Sequence, residues 1–213
     1  MIVHILAGGP LDHHPDFSQY EDEQVVWAAT DRGVYYLLKR GIVPAAAFGD
    51  YDSVTEEELE WMQWQKHDLH IMPKEKDETD LELALHWALE QRPNSIRIFG
   101  ATGGRLDHAF ANVQMLVRGM DQGIPITIID HKNEISIQTP GIYIIESNEL
   151  FPYISFLPMT EIVTGIALSG FKYPLENETI RWGSTLCVSN ELVEEKGTFS
   201  FQSGILMVVR SRD

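Results

Sequence analysis

The period of the hydrophobic pattern changes once along this chain, near residue 131, and that change constrains the fold more than any other feature. Before it, short apolar runs alternate with helical stripes. Residues 2–7, 25–29, 44–48, 69–72, 96–99 and 126–129 read as strands, each mainly apolar or β-branched and most closed by glycine, proline or aspartate. Residues 32–40 read as a helix ended by Gly41. Ser53-Val54-Thr55-Glu56 has the spacing of a capping box, so a second helix is expected from about Val54 to about Gln65. Thr79 and Glu82 repeat that spacing ahead of the stripe Leu81, Ala84, Leu85, Ala88 and Leu89, and a fourth helix is expected over 108–120. Strands alternating with helices across short turns predict a mostly parallel sheet covered on both faces.

From about Asn133 only short alternating runs remain: 135–138, 142–145, 153–157, 162–168, 184–189, 198–201 and 205–209. Glycine, proline and asparagine punctuate them, and no helical stripe appears. This half reads as an all-β sandwich. The expected organisation is an α/β N-terminal domain over 1–131 and an all-β C-terminal domain over 132–213.

In an open α/β sheet, ligands bind beyond the carboxyl ends of the strands. Asp31 follows the second strand there, and Asp50 and Asp52 follow the third. Asp77 and Asp80 precede the third helix, and the turn Gly100-Ala101-Thr102-Gly103-Gly104-Arg105-Leu106-Asp107-His108 joins the fifth strand to the fourth helix. Glycines in such a turn let the backbone approach a phosphate, the helix start offers free N–H groups, and Arg105 can add a bidentate cation. Asp107 is placed to cap the helix. No Lys-Ser or Lys-Thr follows the glycines, so this is not a Walker A loop. Carboxylates gathered on one edge repel each other unless cations neutralise them. Mg²⁺, which is hard and bridges carboxylates to phosphates, fits Asp31, Asp50, Asp52, Asp77 and Asp80. Each acid also has a plainer reading, Asp31 as a helix-start acid and the Asp50/Asp52 pair as turn formers. Their coincidence favours a Mg-nucleotide enzyme working by positioning and charge neutralisation. His13, His14 and Asp16 could hold a metal, but a solvated loop is the favoured reading.

A formal net charge of −16 argues against a nucleic-acid partner, because phosphate backbones demand Lys and Arg. It suits a cationic ligand. Cys187 is the sole cysteine, which excludes an internal disulfide and points to a cytoplasmic home. No apolar run approaches the roughly 20 residues of a membrane helix. The start, Met1-Ile2-Val3-His4-Ile5-Leu6, reads as a first strand and not a signal peptide.

Taken together, Gly49-Asp50-Tyr51-Asp52-Ser53, Lys76-Asp77-Glu78-Thr79-Asp80 and the turn Gly100–His108 resemble the thiamine pyrophosphokinase family. So do Gly170-Phe171-Lys172-Tyr173-Pro174-Leu175 and the segment from Gly183 to Glu191, and the resemblance runs in order through both halves. Tyr51 stands where the family usually has Phe, and Arg32 where a glycine is common. The resemblance implies transfer of a pyrophosphoryl group from ATP to the hydroxyethyl oxygen of thiamine, giving thiamine diphosphate and AMP. It implies a homodimer, with thiamine between the acidic edge of one subunit and the β domain of its partner. Carried onto this chain, Asp31, Asp50, Asp52 and Asp80 would hold Mg²⁺ and the phosphates. Thr102, Gly103, Gly104, Arg105, Asp107 and His108 would lie at ATP. Ser189 and Asn190 would reach the aminopyrimidine, and Trp182 would stack on a ring. Asp80 is further expected near the attacking hydroxyl, assisting its deprotonation. Two alternatives stand beside this one: another Mg-ATP kinase acting on a small alcohol and releasing ADP, and a non-catalytic thiamine- or nucleotide-binding module.

Overall fold

The computed structural model describes residues 1–20, 24–51, 53–65, 71–72 and 77–213. The chain divides into two compact units, Met1–His131 and Lys132–Asp213. The first contains β1 (Ile2–Leu6), β2 (Val25–Thr30), α1 (Arg32–Lys39), β3 (Ala46–Phe48), α2 (Glu56–Trp64), β4 (Ile71–Met72), α3 (Asp80–Glu90), β5 (Ser95–Phe99), α4 (Leu106–Met115) and β6 (Ile126–Ile129). Its strands lie in the order β6-β5-β1-β2-β3-β4, with every pair parallel.

Period-two alternation gives that sheet two apolar faces. Leu6, Ala29, Ala47, Phe99 and Ile129 cluster with Val34, Leu37 and Leu38 of α1 and Met62 of α2. Their neighbours Ile5, Ala28, Ala46, Ile98 and Ile128 are also buried. The buried stripe of α3 (Leu81, Ala84, Leu85, Ala88, Leu89) stands outside the first cluster, and α3 packs on β1, β2 and β3. The expected sheet, buried on both sides, is therefore present.

Helix starts differ in detail from expectation. The capping box of α2 is Thr55 with Glu58, two residues beyond the expected Ser53 and Glu56. Thr55 accepts from Glu58 N–H, and the Glu58 carboxylate accepts from Thr55 N–H at 3.0 Å. That later frame wins because Glu58 can also reach across to Arg32 of α1, 2.5 Å away. Helix α3 begins after Thr79, which accepts from Glu82 N–H. Helix α4 starts at Leu106 with Arg105 as its first flanking residue, so Asp107 sits inside the first turn and is not the cap. A 3-10 stretch, Leu116–Gln122, continues α4 to Gly123.

The second unit is two four-stranded antiparallel sheets. One runs β12 (Asn190–Glu191), β9 (Tyr153–Pro158), β14 (Leu206–Ser211), β7 (Asn133–Gln138). The other runs β11 (Leu175–Arg181), β10 (Ile162–Ser169), β13 (Lys196–Phe201), β8 (Gly141–Glu146). Ile154, Phe156, Leu206 and Val208 of the first sheet pack on Ile145, Val163, Ile166, Leu168, Phe199 and Phe201 of the second. That is the core of a sandwich.

Two readings of this unit need correction. Residues 184–189 form turns instead of a strand, between positive-φ residues Gly183 (84°) and Ser189 (58°). Strand β11 has no counterpart among the expected runs. Its sequence Leu-Glu-Asn-Glu-Thr-Ile-Arg buries only Ile180, and pairing with β10 makes it a strand.

Candidate active site

At the carboxyl edge of the first unit's sheet, the turns after β2, β3 and β5 hold residues at positive φ. After β2, Asp31 takes φ 46°, and its N–H donates to Phe48 O at 2.9 Å. After β3, Gly49 takes φ 119° and Tyr51 φ 60°. Non-glycine residues rarely hold positive φ unless the surroundings over-determine it, and such residues concentrate at functional sites. The reason for glycine at 49 is visible: a Cβ there would lie 2.1 Å from Asp31 Oδ1. The Asp31 carboxylate therefore occupies the space that a side chain at 49 would need.

The turns after β1 and β5 join in the same way. Gly9 N–H donates to Gly100 O at 2.9 Å, and a Cβ on Gly9 would stand 2.3 Å from that oxygen. His14, on the loop after β1, has an imidazole nitrogen 3.1 Å from Gly9 O and packs edge-on against Phe17 and Tyr36. Burial pushes its pKa below the usual histidine value, against the pull of the Gly9 carbonyl. His13 packs edge-on against His131, and Asp16 accepts from both the N–H and the hydroxyl of Ser18. The His13-His14-Asp16 stretch thus has local structural partners.

These turns line a cleft of about 590 Å³. Asp31, Asp80, Thr102, Gly104, Arg105 and His108 all reach it, with Ser53, Glu78 and Thr79. Asp50 and Asp77 are exposed and are not among its lining residues. Gly103 is exposed beside it, where a Cβ would meet His13 at 2.5 Å. Asp52 lies outside the described residues. A larger open cleft of about 890 Å³, lined by Arg92, Asn94, Gln122 and Ile124, sits by the amino ends of β5 and β6. Ligand sites of open α/β sheets lie at the carboxyl ends, so the smaller cleft is the candidate.

Asp80 opens α3, and its Oδ1 is buried with no hydrogen-bond partner among the described residues. A buried carboxylate oxygen without a partner is costly, and a hard cation would satisfy it. With the Asp31 carboxylate in the same cleft, the donors fit a divalent ion such as Mg²⁺. Among the described residues, the three-ligand group of side chains is a different one, Glu78, Glu82 and His86. That group already has internal partners: Arg118 bonds Glu82 and His86, and His86 Nδ1 lies 3.3 Å from Glu78.

Arg105 and Asp107 hold each other through two bonds, 3.1 and 2.5 Å, on the exposed rim. The Arg105 guanidinium keeps the Asp107 carboxyl below its ordinary pKa, and His108 N–H adds to the effect. Arg32 is turned to Glu58. Burial works against the Glu58 carboxylate, yet Arg32 and Thr55 together hold its pKa down. The arginine beside Asp31 thus ties α1 to α2.

Sequence reasoning overlooked two residues beneath the turn. Thr102 donates its hydroxyl proton to Asp130 Oδ2 at 2.7 Å, and Asn112 Nδ2 donates to Ala101 O at 2.9 Å. Asp130 follows β6 at the same edge, so the rule that selected Asp31 also points to it. Asn112 is a buried polar residue inside α4 and carries no such signal.

The second unit holds the remaining expected residues. Asn190 is 3% exposed, and its Oδ1 accepts from Tyr173 and Glu191 N–H groups at 3.0 and 2.9 Å. Its Nδ2 donates to Tyr173 O at 2.8 Å, leaving one N–H. Ser189 is exposed at φ 58°, and its N–H donates to Ser155 Oγ at 3.0 Å. Trp182 is 69% exposed, with its indole N–H donated to Pro158 O at 3.1 Å. That bond leaves most of the ring surface open.

Residues 17–128 match the family model of the thiamin pyrophosphokinase catalytic domain, and residues 142–206 that of its vitamin B1 binding domain. A thiamine pyrophosphokinase of Bacillus subtilis is 49% identical over 211 residues, which cover 99% of each chain. The crystal structure of the thiamine pyrophosphokinase from that organism superimposes with a TM-score of 0.96 at 49% identity, covering 100% of both chains. The Geobacillus thermodenitrificans structure gives 0.94 at 48% identity, covering 100% of this chain and 98% of that one. No helix among the described residues is long and apolar enough to cross a membrane. The chain belongs to the thiamin pyrophosphokinase family.

Proposed function

We propose that this chain makes thiamine diphosphate from thiamine, taking a pyrophosphoryl group from ATP and releasing AMP. The observation that carries the reading is the meeting of Asp31, Asp80 and the glycine turn in one cleft at the carboxyl edge of the sheet. Asp31, Asp80 and the turn acids Asp50 and Asp52 are the residues to hold Mg²⁺. When bound, the ion neutralises charge on the β and γ phosphates. The chain's own part is positioning. The turn from Gly100 to Gly104 brings backbone close to the nucleotide, and Arg105 at the start of α4 adds a cation on the rim, held by Asp107.

Attack falls on the β-phosphorus, so the thiamine hydroxyl must lose its proton as the bond to AMP breaks. We assign that proton to Asp80, a reading supported by its Oδ1 having no hydrogen-bond partner among the described residues. Near wild-type turnover in Asp80→Asn, with metal activation unchanged, would remove Asp80 from that role. Ser189, the spare N–H of Asn190 and the open ring of Trp182 are the groups to hold thiamine, in a homodimer that brings them to the partner's acidic edge. The fixed positive charge of the thiazolium and the net charge of −16 favour that encounter. A cytoplasmic site of action agrees with the nucleotide requirement.

The test is product analysis after mixing the protein with Mg-ATP and thiamine. AMP and thiamine diphosphate, one for one, are expected. ADP with thiamine monophosphate would overturn the β-phosphorus mechanism, and bound thiamine without turnover would make the chain a binding module.

A further inference from the structure

Thr102 lines the cleft, yet the proton of its hydroxyl is already committed. It donates to Asp130 Oδ2 at 2.7 Å. Asp130 is 3% exposed, just beyond the end of β6. A carboxylate accepts and has no proton to return, so the direction of this bond is fixed. A hydroxyl owns one donor and two acceptor lone pairs. With the donor directed inward, Thr102 can offer a ligand in the cleft only lone pairs.

The backbone leading into Thr102 is held in place. Ala101 before it is 7% exposed, and its carbonyl is tied to the buried Asn112 of α4 at 2.9 Å. Gly100 is tied through its carbonyl to Gly9 N–H. The peptide units on which Thr102 hangs are thus anchored to two different elements. Phosphoryl oxygens are acceptors and gain nothing from an acceptor-only hydroxyl. Ribose hydroxyls and the base amino group carry donor hydrogens and do gain.

We propose that Asp130 is a positioning residue that fixes Thr102 as a hydrogen-bond acceptor, so that the turn recognises a donor hydrogen of the nucleoside and not a phosphate. The assignment rests on the nucleotide reading above and divides the labour within the turn. Arg105 and the backbone serve the phosphates, while Thr102 reads the nucleoside.

The test compares ATP with 2′-deoxy-ATP, 3′-deoxy-ATP and purine riboside triphosphate, which lacks the amino group. Each is assayed on wild type, Thr102→Ser, Thr102→Val and Asp130→Asn. Inorganic tripolyphosphate serves as a phosphate-only inhibitor. One analogue should lose about fivefold to tenfold in kcat/KM on wild type and Thr102→Ser. That penalty should vanish on Thr102→Val, because the partner is already gone. It should shrink on Asp130→Asn, whose amide can donate to the hydroxyl as well as accept from it. Inhibition by tripolyphosphate should stay within about twofold across the set, a pattern that general loosening of the turn would not give. Penalties that persist in Thr102→Val, no penalty for any analogue on wild type, or tripolyphosphate weakened as much as ATP would each overturn the assignment. Full discrimination in Asp130→Asn would remove Asp130 from its role. If the wild-type protein does not turn over ATP at all, the nucleotide reading fails first and this assignment with it.

Discussion

Gly49→Ala should disable the acidic edge without unfolding the protein, and Gly41→Ala supplies its control. Both glycines hold positive φ, 119° and 75°. At Gly41 an added Cβ meets nothing within 4 Å. The cost there is backbone strain of about 1–2 kcal/mol, offset by about 0.4–1 kcal/mol from a less flexible unfolded chain. A net loss of about 1 kcal/mol follows. At Gly49 the strain is about 1–3 kcal/mol, because that conformation is nearly glycine-only. The added methyl would also stand 2.1 Å from Asp31 Oδ1, well inside contact distance. Something must move. Asp31 sits at φ 46° with its N–H tied to Phe48 O, so the backbone is held and the carboxylate must swing away. Losing the support of one metal-facing carboxylate weakens metal binding by about 10-fold to 100-fold. Urea denaturation and a Mg²⁺ activation curve on both variants separate the two effects. Gly41→Ala should lose stability with an unchanged metal requirement. Gly49→Ala should need about 10-fold to 100-fold more Mg²⁺ for half-maximal turnover. A Gly49→Ala protein with the activation curve of Gly41→Ala would refute the placement of Asp31 in the metal site.

Glu58→Gln should cost about 1 kcal/mol at neutral pH, discounted because Arg32 is partly exposed. The folded pKa of Glu58 is lowered from 4.5, so its contribution is complete above that value and is lost as pH falls through the folded pKa. The gap between wild type and variant in urea melts should therefore close on acidification, and a gap that widened would contradict the Arg32–Glu58 account. Burial pushes the Cys187 thiol up to about 11, so iodoacetamide at pH 8 should modify it far more slowly in the folded protein than in urea. Equal rates would mean that the 184–189 turns open freely. Asn190→Ala removes three hydrogen bonds from a buried side chain and should cost about 2 kcal/mol. Ser189→Ala keeps the bond its backbone makes to Ser155, so stability should change by less than about 0.5 kcal/mol while KM for thiamine rises. A destabilised Ser189→Ala would make its positive φ, and not its hydroxyl, the feature that matters.

The parallel sheet was legible because its strands advertise themselves: Ile96–Phe99 and Ile126–Ile129 are apolar apart from Arg97 and Thr127, as strands largely buried on both faces are. β11 was not legible because Glu176, Asn177, Glu178 and Thr179 are all exposed, and its place depends on β10. Residues 184–189 misled for the opposite reason. Leu186, Cys187 and Val188 look like a strand core, yet only Cys187 is buried, and positive φ at Gly183 and Ser189 bends the segment out of the sheet. The two overlapping capping frames at 53–58 could not be separated locally, since the winning one is selected by Arg32, 26 residues away.

The site divides along the same line. Asp31 and Asp80 can be found from position alone, because the carboxyl edge of a parallel sheet follows from strand order. Position does not say which way a polar group faces. Asp50 and Asp31 both follow strands, but one is exposed and the other lines the cleft beneath Gly49. Asp130 satisfies the same positional rule and spends its known bond on Thr102, 28 residues back in the chain. A carboxylate that receives a proton from the protein and one whose oxygen has no described partner are identical in sequence. Only the pairing distinguishes them, and on it rest our assignments of Asp80 to metal or proton and of Asp130 to the positioning of Thr102. Chemistry at this edge is therefore set by long-range hydrogen-bond direction as much as by the number of acids that reach it.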